Sequence, residues 1–237
     1  FSYPGSERPV IDRVTLELGA GTTNALIGGT GSGKTTLASL IPRFFDATEG
    51  RVLVNGVPVT EQSLEDLWAS LGVVPQSAFL FSGTIASNLR LGRESASEED
   101  LWWALDVAQA REFVAATPGG LDAPVDQGGT NLSGGQRQRL SIARALVTRA
   151  PLLIFDDCFS ALDARTDALL RQALREEIAD TTTLIVAQRV STIMDADQII
   201  VLDEGRVVGI GRHEDLVTTC PTYRDIAVSQ LGEAALS

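Results

Sequence analysis

The chain has 237 residues, of which 44% are hydrophobic and 21% charged, and this composition is ordinary for a soluble globular chain of one large or two small domains. Its formal net charge of −12 argues against broad electrostatic attraction to nucleic acid or to anionic lipid. No run approaches the roughly 18 apolar residues that suggest a membrane span. Cys158 and Cys220 lack the spacing of a metal or redox motif, which suits a reducing compartment.

The first elements of the chain are predicted to be two strands. Residues 10–18 alternate apolar and polar side chains, a pattern that predicts a half-buried strand. A glycine-rich turn follows at 19–21. Residues 23–27, with the sequence Thr-Asn-Ala-Leu-Ile, are typical of a buried strand.

That buried strand leads into Gly-Gly-Thr-Gly-Ser-Gly-Lys-Thr at 28–35, which fits the phosphate-binding pattern G-x-x-x-x-G-K-[ST]. Glycines let backbone N–H groups point inward at phosphate oxygens. Lys34, the only lysine of the chain, adds a positive charge, and the Thr35 hydroxyl is placed to ligate Mg²⁺. The motif therefore predicts a site for a nucleoside triphosphate. The predicted contacts are Gly28, Gly29, Thr30, Gly31, Ser32, Gly33, Lys34, Thr35 and Thr36.

The middle of the chain changes from strands to helices. Residues 51–56 predict a strand that ends in a tight Asn-Gly turn, and residues 71–76 a short buried strand that stops at Gln76. From about 77 to 117 the pattern is helical. Ser97 and the acidic residues that follow it predict a capping box.

Glycine-rich loops return before the last third of the chain. Leu132-Ser133-Gly134-Gly135-Gln136 precedes a predicted helix at 137–149, and the continuous apolar run 152–155 predicts a strand buried on both faces that ends in Asp156-Asp157. A helix at about 164–179, a buried strand at 183–187 and a terminal hairpin at 198–210 are predicted after it. Strands that alternate with helices indicate an α/β fold with a largely parallel core sheet.

Taken together, these motifs resemble the ATP-binding domain of ABC transporters, specifically of exporters. The resemblance runs from Phe1 to the C-terminus, and its most specific element is Leu-Ser-Gly-Gly-Gln at 132–136 with Arg137-Gln138-Arg139 behind it. It implies one domain over 1–237: a P-loop NTPase core with a mostly parallel sheet, an antiparallel β subdomain and a helical insertion at about 77–145 that bears the signature. A membrane domain is expected upstream.

The resemblance also implies roles for single residues. Tyr3 would stack on adenine, and Val10 is counted among the nucleotide contacts. Gln76 matches the glutamine that reaches toward Mg²⁺ and the attacking water, and Asp156 the carboxylate that holds Mg²⁺ through water. The implied cofactors are ATP and Mg²⁺, with Thr35, Gln76 and Asp156 as the metal set. The segment that matches the D-loop is Ser160, Ala161, Leu162 and Asp163.

The signature itself predicts a second chain. Ser133, Gly134 and Gly135 at a helix N-terminus offer a hydroxyl, N–H groups and a positive dipole end to a phosphate. The helical insertion should carry them away from the chain's own phosphate loop. Two ATP-binding domains are therefore expected to dock head to tail, and each signature would close over the nucleotide held by the other. The signature residues are Leu132, Ser133, Gly134, Gly135 and Gln136.

Two positions depart from the family pattern, and both concern hydrolysis. Asp157 stands where the family has the Glu that polarises the attacking water, and Gln188 stands where it has the switch histidine. Asp is one methylene shorter than Glu, and Gln cannot gain or lose a proton near neutral pH. With Gln76, these residues form the predicted catalytic set. The two substitutions predict a site that binds ATP and hydrolyses it poorly, in the degenerate half of a heterodimeric exporter.

Two other hypotheses remain open at this point. In a homodimeric exporter Asp157 would suffice for hydrolysis. In an ATP-dependent clamp without transport, we would expect tandem ATPase domains, a coiled-coil insertion or basic surfaces for nucleic acid. The expected partners are a second ATP-binding domain, from a different chain in the favoured hypothesis, and the transmembrane domain of the same full-length protein, without nucleic acid. The expected location is the cytoplasmic face of the plasma membrane, with this segment itself soluble.

Overall fold

The computed structural model describes residues 1–233, which divide into two compact units. The first unit comprises Phe1–Leu71 and the chain from Thr182 onward, and the second comprises Gly72–Thr181. None of the helices formed by residues 1–233 is long and apolar enough to cross a bilayer.

The first unit is built on a sheet in which parallel strands carry the core. Strand β1 pairs in parallel with β8 on one side and β9 on the other, and β9 pairs antiparallel with β10. Ala25, Leu26 and Ile27 are almost fully buried because both faces of β1 are covered. Its strands are β1 (Thr23–Ile27), β2 (Leu53–Val54), β3 (Val57–Pro58), β8 (Thr182–Val186), β9 (Gln198–Asp203) and β10 (Arg206–Gly211); its helices are α1 (Lys34–Leu40), α2 (Leu64–Ala69), α8 (Val190–Ile193), α9 (His213–Thr219) and α10 (Pro221–Leu231).

The turn between β2 and β3 has the conformation that its sequence predicts. Asn55 and Gly56 have φ values of 53° and 77°, so both central residues are left-handed. A two-residue turn of this kind matches the right-handed twist of the strands that it joins. The predicted Asn-Gly turn is therefore confirmed, and β2 and β3 pair antiparallel.

The prediction of a strand at residues 10–18 is wrong. Burial alternates there as expected, but no strand is assigned between residues 10 and 18 of the described chain. The backbone N–H groups of Val10 and Ile11 bond to the Phe1 carbonyl, and that of Asp12 bonds to the Gly205 carbonyl, so no regular ladder forms. Arg13 then adopts a φ of 52°, which interrupts the extended backbone.

The second unit is mainly helical. Its strands β7 and β4 are neighbours in a sheet, and β5 pairs antiparallel with β6. Helix α6 packs against α3 and α4, and Leu101, Ala104 and Leu105 of α4 are fully buried there. The strands are β4 (Leu71–Val74), β5 (Gly83–Thr84), β6 (Pro124–Val125) and β7 (Leu152–Asp156); the helices are α3 (Ile85–Arg90), α4 (Glu98–Val107), α5 (Arg111–Ala116), α6 (Gly134–Val147) and α7 (Ala164–Glu177).

The capping box predicted at Ser97 is confirmed. The Ser97 hydroxyl accepts a hydrogen bond from the backbone N–H of Asp100, and the Asp100 carboxylate accepts one from the backbone N–H of Ser97. Each bond satisfies a donor at the start of α4 that has no partner within the helix. Helix α4 therefore begins where the sequence predicts.

Candidate nucleotide-binding site

The phosphate-binding loop, residues 28–35, leaves the end of β1 and enters α1. Gly31 and Gly33 have φ values of 80° and 100°, which only glycine adopts without strain. The ammonium of Lys34 donates hydrogen bonds to the carbonyls of Gly28 and Gly29, at 2.9 and 2.8 Å. It thus lies across the mouth of the curled backbone, where its charge faces any anion that the loop holds.

Glycines of the loop serve two different purposes. A Cβ at Gly28 would collide with the Leu202 carbonyl, and one at Gly33 would collide with the Val10 carbonyl and the Ile11 side chain. At Gly29 and Gly31 an added Cβ would meet no atom within 4 Å. The loop is therefore pressed against protein on one side and open on the other, which fits a cradle for phosphate groups.

The turn between β9 and β10 supports the phosphate-binding loop from behind. The backbone N–H of Gly205 donates to the Ser32 carbonyl at 3.0 Å, and the Gly205 carbonyl accepts from the N–H of Asp12 at 2.9 Å. A Cβ at Gly205 would collide with the Val10 carbonyl. Val10, which we predicted as a nucleotide contact, thus has its carbonyl beside Gly33 and Gly205.

Tyr3 lies next to the first helical turn after the loop. Its hydroxyl is 3.1 Å from the Thr36 hydroxyl, and its ring meets those of Phe1 and Phe45 at centroid distances of 4.9 and 5.3 Å. Both contacts are edge-on, and 36% of Tyr3 remains exposed. An exposed aromatic cluster near a phosphate cradle can accept a planar base by stacking.

In the second unit, Gln76 and Asp157 form a direct contact. The Gln76 side-chain amide donates to a carboxylate oxygen of Asp157 at 3.0 Å. Asp157 is buried and has a φ of 45°, and its carbonyl accepts a hydrogen bond from the Ser160 hydroxyl at 2.8 Å. The contact brings together two residues of the predicted catalytic set that are far apart in sequence.

Carboxylates at the end of β7 also affect a neighbouring thiol. Burial raises the pKa of Cys158 well above its usual range, and the negative charges of Asp156, Asp157 and Asp167 raise it further. A thiol that stays protonated is a poor nucleophile and a poor metal ligand. Cys158 is therefore a packing residue beneath the carboxylates.

The signature residues form the start of α6. Ser133 is the N-cap: its hydroxyl accepts from the N–H of Gln136 at 3.2 Å, and the Gln136 side chain accepts from the N–H of Ser133 at 2.9 Å. Ser133 and Gly134 are exposed. A Cβ at Gly135 would meet only Ala161 and Leu162 of the D-loop, at 3.8 and 3.9 Å. Within the second unit, the signature and the D-loop thus lie side by side, and Leu132 precedes them.

The D-loop ends by capping the next helix. Asp163 is the N-cap of α7, and its carboxylate accepts hydrogen bonds from the backbone N–H and the hydroxyl of Thr166 at 3.0 and 2.7 Å. These bonds hold the pKa of Asp163 below its usual range. The side chain is therefore a charged cap, while Ser160 and Ala161 are exposed.

Gln188, at the predicted switch position, lies in the first unit with the phosphate-binding loop. Strands β1 and β8 are parallel with Leu26 opposite Val186, and the N–H of Ala187 donates to the Leu26 carbonyl at 3.0 Å. The chain therefore leaves both strands at the same edge of the sheet, toward Gly28 on one and the exposed Gln188 on the other. Ligands of open α/β sheets bind at this edge.

The predicted magnesium ligands are distributed over both units. Thr35 lies in the first turn of α1, whereas Gln76 and Asp156 follow or end strands of the second unit. A hydroxyl, an amide oxygen and a carboxylate are hard oxygen donors, the kind that Mg²⁺ takes alongside substrate phosphates. Residues 1–233 contain no cluster of three or more His, Cys, Asp or Glu that could hold a metal ion by themselves. Within its own unit, each of the three residues is thus of a donor type that suits Mg²⁺.

Sequence reasoning found each of these motifs but missed how they are held. The Gln76–Asp157 bond has no local signal in the sequence. The same holds for Gln230 of α10, whose side chain bonds to the backbone of Gln188 and Val190. One weak signal was present for Gly205, because a glycine after Glu204 in a tight hairpin turn indicates a left-handed residue.

Comparisons with known proteins agree with the motifs. Residues 11–160 match the ABC transporter family. The chain is 50% identical over 233 residues to an ABC transporter ATP-binding protein of Mycobacterium tuberculosis, covering 97% of this chain and 40% of that protein. It is 43% identical over 233 residues to the ATP-dependent lipid A-core flippase of Chromobacterium violaceum, covering 98% and 40%.

A solved structure extends the agreement to the fold. The structure of a bacterial Atm1-family ABC exporter with ATP bound matches with a TM-score of 0.93 and 38% identity, over 98% of this chain and 41% of that one. The predicted fold class, a P-loop core with a mostly parallel sheet and small antiparallel strands, is confirmed. The chain spans about 40% of the length of the curated relatives that it matches. It belongs to the ABC transporter family.

Proposed function

We propose that this chain is the ATP-binding domain of an exporter and that it couples the binding and hydrolysis of Mg-ATP to transport. In this proposal it forms one domain over 1–237, with the signature-bearing insertion at about 77–145, on the cytoplasmic face of the plasma membrane. Its partners are a second ATP-binding domain and a membrane domain of the same protein. The relatives are more than twice as long as the matched segment, which supports a further domain.

Residues of the phosphate-binding loop share the binding of Mg-ATP with Tyr3 and with residues of the second unit in this proposal. Lys34 and backbone N–H groups of the loop bind the phosphates, the Thr35 hydroxyl binds the metal, and Tyr3 stacks on the base. Gln76 and Asp156 complete the metal set from the second unit. Mg²⁺ held by these residues would supply positive charge that offsets the negative charge developing during phosphoryl transfer.

The proposal that this site hydrolyses slowly is carried by the Gln76–Asp157 contact. The Asp side chain is one methylene shorter than Glu, and its carboxylate is engaged by Gln76 at 3.0 Å. Misplacement of a catalytic group by about 1 Å can cost roughly 10²-fold in rate. Gln188 can hydrogen-bond the γ-phosphate, but it cannot exchange a proton with it near neutral pH.

The intact signature supports the second half of the proposal. Ser133 and Gly134 are exposed at the start of α6, and the Ser133 hydroxyl, which accepts from Gln136, keeps a proton that it can donate to a ligand outside this chain. Helix N-termini of this kind bind phosphate. We propose that they close over the nucleotide of a partner domain in a head-to-tail pair, so that this chain completes a competent site on the partner.

The experiment compares two variants in the assembled transporter. Ser133→Arg should suppress ATP hydrolysis strongly, because it places bulk and charge where the partner's γ-phosphate must be bound. Asp157→Asn should do comparatively little, because the site that it affects is already slow, and Asn still offers an oxygen to Gln76. Steady-state ATPase activity is the measurement.

Ser97→Arg is the matched control, since it disturbs the other serine-capped helix of the second unit away from the signature. It should leave the rate close to that of the wild type. Loss of activity in Asp157→Asn as complete as in Ser133→Arg would make Asp157 a working base. The symmetric, homodimeric alternative would then replace the degenerate-site proposal.

A further inference from the structure

The side chain of Gln230 bridges the backbone that follows β8. Its amide group donates to the Gln188 carbonyl at 2.7 Å, and its carbonyl oxygen accepts from the N–H of Val190 at 2.8 Å. Both distances are in the range of well-formed hydrogen bonds. The two bonds enclose residues 188–190, which we call the switch segment.

Val190, whose N–H donates to Gln230, also begins a helix. Val190 is the first residue of α8, a helix of only four residues, and the N-cap Arg189 supplies no side-chain hydrogen bond. N–H groups of a first helical turn have no partner within the helix and need one from outside. Gln230 provides it from α10, so the end of the switch segment is fixed by a different helix.

Helix α10 is a firm base for this contact. It packs against α8, α9 and β9, and its residues Tyr223 and Ala227 are fully buried. The Tyr223 hydroxyl is 2.7 Å from Nδ1 of His213 on α9. Gln230 follows Tyr223 and Ala227 at helical spacing on the same face of α10, but it is itself exposed. The buried contacts of Tyr223 and Ala227 fix the backbone of α10, and the two hydrogen bonds of Gln230 then tie the switch segment to it.

The switch segment leaves the sheet where the phosphate-binding loop does. Because β1 and β8 are parallel neighbours, Gly28 and Gln188 each lie just past the end of their strand at one edge. Gln188 itself is exposed at this edge. A shift of its backbone would move its side chain relative to the phosphates that the loop binds.

We infer that Gln230 is a positioning residue that holds the switch segment so that Gln188 meets the γ-phosphate. This inference rests on the proposed role of Gln188. Gln230 touches neither nucleotide nor metal; it acts through the carbonyl of Gln188 and the N–H of Val190. Losing the bridge should therefore weaken the binding of ATP, which has a γ-phosphate, and leave the binding of ADP unchanged.

Two variants of the full-length protein, with one control, test the two hydrogen bonds of Gln230 separately. Gln230→Met keeps the length of the side chain and removes both bonds, whereas Gln230→Glu keeps an acceptor for Val190 and removes the donor to Gln188. Ser229→Ala changes the preceding exposed residue and is the control. Hydrogen–deuterium exchange of peptides that contain Val190 should accelerate in Gln230→Met and stay near the wild-type rate in Gln230→Glu and Ser229→Ala.

The functional readout is the ratio of the affinities for ATP and ADP. It is measured by photolabelling of this chain with 8-azido-ATP in competition with each nucleotide. A single hydrogen bond corresponds to about a two- to tenfold change in affinity. Gln230→Met should lower the preference for ATP by that factor without changing ADP affinity, and Gln188→Ala should do the same.

Two results would overturn the inference alone. One is unchanged exchange at Val190 in Gln230→Met, which would show that the bridge does not hold the segment. The other is a wild-type nucleotide preference in Gln230→Met when Gln188→Ala lowers it. If Gln188→Ala keeps the wild-type preference, the proposed switch role is itself wrong, and the positioning role of Gln230 falls with it.

Discussion

The side-chain amide of Gln76 lies 3.0 Å from a carboxylate oxygen of Asp157 and donates a hydrogen bond to it. The backbone of Asp157 is left-handed, with a φ of 45°. Asp and Asn adopt this conformation more readily than longer side chains do. The aspartate is therefore suited both to its left-handed backbone and to its bond with Gln76.

Restoring fast hydrolysis at this site should require changes at both Asp157 and Gln188. Asp157→Glu restores reach toward the attacking water, and Gln188→His restores a titratable group beside the γ-phosphate. Each change alone should recover little, because groups that act on one transition state are strongly non-additive. Together they should raise single-turnover hydrolysis at this site, measured while the partner's catalytic carboxylate is inactivated.

The same experiment tests the degenerate-site proposal in the wild type. In that background only this chain's site reports, so its rate should be far below that of the intact transporter. Equal rates in the two would contradict the proposal. Asp157→Asn in the same assay controls for the loss of the carboxylate without a change of backbone preference.

Removal of Lys34 should abolish nucleotide binding. Its ammonium bonds to two carbonyls of the loop, and the chain has no other lysine that could replace it. Isothermal calorimetry with Mg-ATP should give no measurable heat for Lys34→Ala. Arg51→Ala, which removes an exposed positive charge elsewhere in the first unit, should bind as the wild type does. Unchanged binding by Lys34→Ala would remove the basis of the proposed function.

How much of this arrangement the sequence predicts depends on the range of the interaction. Strand β1, the run 152–155 and the capping box at Ser97 are local patterns, and all are confirmed. Helix α2 was missed although Ser63 caps it by accepting from the N–H of Asp66, a signal of the same type. With only six residues, α2 is too short for apolar spacing alone to predict it.

Other features depend on contacts that no local pattern in the sequence reveals. The segment 10–18 alternates like a strand, but a strand needs a partner ladder, and its N–H groups bond instead to Phe1 and Gly205. The Gln76–Asp157 contact and the bridge by Gln230 join residues that only the fold brings together. Side-chain bonds of this kind set the geometry of a site, and residue type alone does not reveal them.

Two serine caps give a paired test of the signature. Ser133 and Ser97 each form a capping box at the start of a helix in the second unit. Replacing either by Ala should cost about 1 kcal/mol, which lowers the melting temperature by roughly 2–4 °C in a chain of this size. Only Ser133→Ala should also reduce ATP hydrolysis by the assembled transporter. Equal losses of activity in both variants would assign Ser133 to helix stability alone.

Alkaline pH should destabilise the first unit through Tyr223. Burial raises the pKa of Tyr223 to about 12. In the unfolded chain a tyrosine has a pKa of about 10. Between these values the unfolded state releases the proton first, so the free energy of unfolding is full below about pH 10 and falls by roughly 1–3 kcal/mol toward pH 12.

Urea titrations at a series of alkaline pH values measure this effect. Tyr223→Phe removes the ionisable hydroxyl and should show a shallower fall, even though it also loses the contact with His213. A parallel fall in wild type and Tyr223→Phe would assign the alkaline loss to other groups.

The support of the phosphate-binding loop by Gly205 has a consequence for the interpretation of missense alleles. Gly205 bonds to Ser32, and no side chain fits between it and the Val10 carbonyl. A missense change there would displace the loop while leaving every motif residue intact. In a genetic screen such an allele should have the same phenotype as substitutions of Lys34. Its position in the sequence, however, lies in the hairpin between β9 and β10, outside every nucleotide-binding motif.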